Sequence, residues 1–128
     1  MGHGSNYSRW QVQTPMLIKA PQQMKGAVET RMSTHQDVVP TLMKHALGCY
    51  SPSTDYSHGS DLLNLPSERQ STVFASYKST AYLTNGVVMD KLTRKKYDIR
   101  DMKDEKPTID TAAVKALMAD ESRFLNGK

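Results

Sequence analysis

Four histidines, one cysteine and a scatter of serines are the side chains through which this chain could run metal, acid–base or nucleophilic chemistry. A structural zinc site takes four His or Cys ligands, closely paired along the chain. His3, His35, His45 and His58 form no such pair with one another, and Cys49, four residues after His45, still lacks a third ligand. A reactive cysteine needs cationic neighbours to make its thiolate. Nothing basic lies closer to Cys49 than Lys44 and His45, so it reads as a small apolar residue, buried or facing a partner. The serines show no nucleophile elbow or Ser-x-x-Lys set, and the seven glycines form no phosphate loop. The expectation is a non-enzymatic protein with no metal, no cofactor and no small-molecule substrate.

The elements around these residues are thinly specified. Residues 1–36 read as an extended arm punctuated by Pro15 and Pro21, with Trp10 among its few anchors and room for a short helix at about 22–33. The segment 37–48 reads as a helix. Asp37 is placed to cap it, Pro40 sits in its first turn, and Val38, Val39, Leu42, Met43, Ala46 and Leu47 share one stripe before Gly48. Residues 49–66 form a loop without period. Ser67 and Gln70 make a capping-box pattern, yet the Ser/Thr-rich run to residue 83 fits a strand nearly as well as a helix. Asn85-Gly86 predicts a turn closing a hairpin near 81–89. A charged stretch fills the rest of the 67–106 segment. In 107–128, Asp110 caps a last helix over about 111–125, with Val114, Leu117, Met118 and Phe124 on one face.

These elements imply a chain that is mostly irregular or extended, carrying a few short α-helices, with no separate globular domains and no independent compact fold. Its 128 residues are 38% hydrophobic and 7% aromatic, which leaves little for a core, while eight methionines suit an adaptable contact surface. No apolar run is long enough to span a membrane, so the chain reads as soluble or peripheral. The lone cysteine fits an intracellular, reducing compartment.

The net charge of +4 favours acidic partners weakly. Arg94, Lys95 and Lys96 could dock on an acidic surface, although five acids interleave with seven bases between Asp90 and Lys106, the pattern of a solvated face. With Tyr97 as the lone aromatic there, nucleic acid is a poor fit. Tyrosine gives contact area at low entropic cost. Tyr50, Tyr56, Tyr77 and Tyr82, with Phe74, recur in a polar setting and read as partner contacts rather than core.

In length, basic character, short helices and Tyr/Ser/Thr-rich stretches such as Ser71-Thr72-Val73-Phe74-Ala75-Ser76-Tyr77-Lys78-Ser79, the chain resembles the small proteins that line the inside of ciliary doublet microtubules. The resemblance implies a structural role in the axoneme, stitching tubulin to neighbouring filament proteins, and no reaction. Two alternatives stand beside it: a self-folding α+β adaptor domain, and a basic accessory subunit of an RNA–protein or mitochondrial complex.

Overall fold

Short strands with apolar residues on both faces build one of the two units of this protein. The computed structural model describes residues 7–19, 25–66, 69–102 and 108–123. Contacts divide the chain into two compact units, one made of Met1–Ala27 with Gln70–Lys128, the other of Val28–Arg69.

The first unit is built on a four-stranded antiparallel meander, β1 (Ser71–Ala75), β2 (Thr80–Thr84), β3 (Val87–Asp90) and β4 (Lys96–Asp98), in the order β1-β2-β3-β4. The strand reading of the 71–84 stretch therefore prevails over the helix reading; the proposed cap at Ser67 lies outside the described residues. The 81–89 hairpin forms as the turn signal predicts. Asn85 and Gly86 both adopt positive φ, 48° and 82°, which matches the twist of the flanking strands.

Register sets two faces. Val73, Tyr82 and Met89 form one cross-strand row, and Thr72, Leu83, Val88 and Tyr97 form a row on the other face. The first face is covered by α3 (Thr111–Arg123), and its core joins Tyr82, Ile109 and Val114 with Val73, Val87, Met89 and Leu117. Asp110 caps α3, its Oδ1 accepting from the amides of Ala112 at 3.0 Å and Ala113 at 2.9 Å. Of the predicted helix face, Val114 and Leu117 pack against the sheet and Met118 is exposed; Phe124 and Leu125 lie outside the described residues.

The other face is approached by the N-terminal arm. The Tyr7 ring stacks on Phe74 with centroids 6.3 Å apart, and its hydroxyl donates to the Ser79 carbonyl. The Arg9 amide donates to the Ile99 carbonyl at 2.9 Å, beside a single helical turn, α1 (Arg9–Val12). Residues 7–9 of the predicted arm are therefore held on the sheet, while Leu17 stays exposed. Burial pushes the Tyr97 hydroxyl up to about 12, partly offset by the Tyr7 backbone.

The second unit holds α2 (Val38–His45) and three short 3-10 turns, His35–Asp37, Ser53–Asp55 and Leu62–Asn64, joined by irregular chain. Within the described part of the predicted 22–33 helix no helix is found: residues 25–34 are irregular, as Gly26 and the lack of a sustained apolar stripe allow, and 22–24 lie outside the described residues. The predicted stop holds. Gly48 turns at φ 65°, and the amides of Leu47 and Cys49 donate to the carbonyls of Leu42 and Met43.

Two further readings are corrected. The sheet extends beyond the predicted hairpin, with β1 and β4 on either side of it, so the chain is less irregular than expected; β4, three residues with two charges, carries no readable strand pattern. The interleaved charge run is not solvated throughout: Tyr97 inside it is buried, since β4 pairs with β3 and turns that ring inward. Residues 103–107 of that run lie outside the described residues.

Candidate interaction surfaces

Asp37 is the centre of the second unit. It stands at the N-cap position of α2, as the sequence suggested, but its side chain makes no cap bond there. Thr34 caps the 3-10 turn before it. Its side chain accepts from the Gln36 amide, while the Asp37 carboxylate returns to the Thr34 amide at 2.6 Å, completing a capping box. Asp37 is fully buried, and Arg69 donates to both of its oxygens at 2.8 and 2.6 Å. The Ser60 amide adds a bond of 2.6 Å, and Arg69 also donates to the Ser60 hydroxyl. Burial pushes the carboxyl up; Arg69 and the two amides outweigh it and hold Asp37 below the usual carboxylate range.

The loop approaches this hub by backbone. Thr41 donates to the Asp37 carbonyl at 2.6 Å and accepts from the Leu62 amide at 2.8 Å. Gly59 packs so tightly that a Cβ there would lie 2.0 Å from the Gln36 carbonyl oxygen. One turn further on, Asp61 binds Lys44 at 3.0 Å and His45 Nε2 at 2.9 Å, and accepts from the Leu63 amide. Burial raises Asp61, but the His45 and Lys44 bonds prevail and lower it. Both carboxylates are thus committed to donors that close the loop onto α2. No group of three or more His, Cys, Asp or Glu among the described residues is placed to hold a metal ion.

This wiring fixes which way α2 faces. Asp37, Pro40 and Thr41 are buried, so the stripe at Val39, Leu42 and Ala46 is turned outward, continued by Leu47. Val39 is 48% exposed, Leu42 55% and Leu47 72%. Of the six residues in the predicted stripe, Val39, Leu42, Ala46 and Leu47 are exposed, while Val38 and Met43 are half-buried. Periodicity could not say which way the stripe faces, because that depends on Arg69 and Ser60, distant in sequence.

The proposed contact residues fall into different settings. Trp10, Tyr50 and Tyr77 are exposed, Tyr56 and Phe74 half-buried, and Arg94, Lys95 and Lys96 exposed around β4. Tyr82 is removed from the set. It is fully buried under α3, where its hydroxyl donates to Glu121 at 2.7 Å. Its polar sequence neighbours hid it, because Thr80 and Thr84 share its face of β2. Among the described residues no helix is long and apolar enough to cross a membrane.

No protein-family model matches the chain. In an alignment of 126 positions that covers 94% of its length, it is 27% identical to the inner membrane protein YejM of Salmonella typhimurium, and equally so to that of Salmonella typhi. The chain spans about a fifth of the length of these curated relatives, 21% of each.

Proposed function

We propose that this chain is a non-enzymatic structural module that docks on a larger protein body, in the setting of an inner membrane protein of the YejM kind. The observation that carries this reading is the outward apolar face of α2, at Val39, Leu42 and Leu47. An exposed apolar stripe rimmed by polar groups suits a protein contact. The likeness to YejM supplies the kind of body: the match leaves about four-fifths of each relative without a counterpart in this chain. The hub carboxylates, saturated by structural donors, support a positioning role over a reacting one. The reading as a tubulin-binding microtubule inner protein concerns the same kind of surface and rests on sequence style.

The test is co-expression of the chain with Salmonella typhimurium YejM lacking the matched region, with purified tubulin as a parallel bait. Co-purification with the truncated YejM, lost in L42D/L47D while the thermal melt of the isolated chain is unchanged, is the expected result. Retention on tubulin instead would favour the microtubule reading. Failure to bind either, with L42D/L47D melting far below the parent chain, would make the stripe a core and overturn the proposal.

A further inference from the structure

The connection between β3 and β4 is a second exposed surface, with a different chemistry. Asp90 turns inward, its Oδ1 accepting from the amides of Leu92 at 2.8 Å and Thr93 at 2.9 Å and from the Ser79 hydroxyl at 3.1 Å. The Asp90 amide donates to the Lys95 carbonyl at 3.0 Å, and the Arg94 amide to the Asp90 carbonyl at 2.9 Å, with Arg94 held at φ 56°. The acid of the turn is thereby spent on the turn itself. What it presents outward is Leu92, 72% exposed, beside Arg94, Lys95 and Lys96. None of these three cations is ion-paired among the described residues, whereas Lys91 lies 3.4 Å from Glu121 and Arg100 is held by Asp98. The exposed Asp101 is the nearest acid in sequence after that pair.

We propose that this turn contacts an anionic phospholipid surface, with Leu92 entering the headgroup boundary and Arg94, Lys95 and Lys96 lying on phosphates. Charge complementarity selects an anionic partner, and the apolar apex selects a bilayer among anionic partners. A nucleic-acid backbone has no use for an exposed leucine, and the tip offers no aromatic ring for a base to stack on. The turn is braced by its own backbone bonds, so little ordering is needed on contact. The inference rests on the proposed function only for its membrane setting; its residues belong to the other unit.

The experiment is co-sedimentation of the full chain with phosphatidylcholine vesicles, with and without phosphatidylglycerol, at low salt. Binding should require phosphatidylglycerol, fall about fivefold for each cation removed, and drop to the neutral-vesicle level in R94E/K95E/K96E. L92S should weaken binding while keeping its salt dependence. Equal binding to neutral vesicles, no binding to either, or unchanged binding of the triple variant would overturn the proposal. So would tighter retention on duplex DNA or on tubulin at the same salt. Because α2 is untouched, L42D/L47D should bind vesicles as the parent does, which separates failure here from failure of the docking reading.

Discussion

The two units of this chain are held by opposite means. Around the sheet, Tyr82, Ile109 and Val114 bury apolar surface between β-strands and α3. In the Val28–Arg69 unit the buried centre is an ion pair, Asp37 with Arg69, and the apolar stripe of its helix faces out. A core built from apolar residues stabilises by area removed from water and tolerates small changes of shape. A core built from a saturated charge pair stabilises little in net terms, yet breaks severely when one partner is lost. The difference teaches where each unit is fragile: the sheet in its packing, the loop unit at a single carboxylate.

The sharpest way to break the comparison is Asp37→Asn. It should cost about 3–5 kcal/mol, because Arg69, with only 16% of its side chain exposed, is left as a buried cation without its anion. Hydrogen exchange followed by mass spectrometry should show protection lost across 34–66 and kept across the strands. Equal loss in both units would mean that they form one cooperative structure.

Acid should produce part of the same effect. Asp37 and Asp61 are held below the ordinary value of 3.8, so the stability they contribute is fully present above it and is lost as pH falls through their lowered values. Exchange protection around α2 should therefore fade before that of β2 in an acid titration, although Asp90 in the sheet unit is lowered as well, burial notwithstanding, by its bonds to the Thr93 and Leu92 amides and the Ser79 hydroxyl. If β2 fades first, the polar hub is not the weaker centre.

Tyr82→Phe should have the smallest effect, about 1 kcal/mol, since it removes the bond to Glu121 and leaves the ring in place. A urea melt read on the sheet unit would measure it. A loss several times larger would show that Glu121 and the Tyr82 hydroxyl, rather than the apolar cluster, fasten α3.

Legibility in the sequence followed the same divide. Local signals survived: Asn85-Gly86 turned the hairpin, Asp110 capped α3, and Gly48 ended α2. Each acts within a few residues, so tertiary context has little room to override it. What failed to show was non-local. Arg69 meets Asp37 across 32 residues, and Tyr7 meets Ser79 across 72. β4 is three residues long and carries two charges, too short for alternation to register. Of the contact residues, Trp10, Tyr50 and Tyr77 are exposed and Tyr82 is buried, and the outward turn of α2 had no local signal at all.

The sheet unit is discontinuous, with Val28–Arg69 inserted between Ala27 and Gln70. On a ribosome this arrangement imposes a schedule. The inserted unit has all its internal partners once Arg69 has emerged, while Tyr7 and Arg9, made before it, wait for Ser79 and Ile99. At elongation rates of ~5–20 residues per second, that delay lasts several seconds. During it the segment from Tyr7 to Ile18 lacks its sheet partners, and the outward face of α2 is already displayed. The order of synthesis thus gives a partner or chaperone access to α2 before the sheet closes.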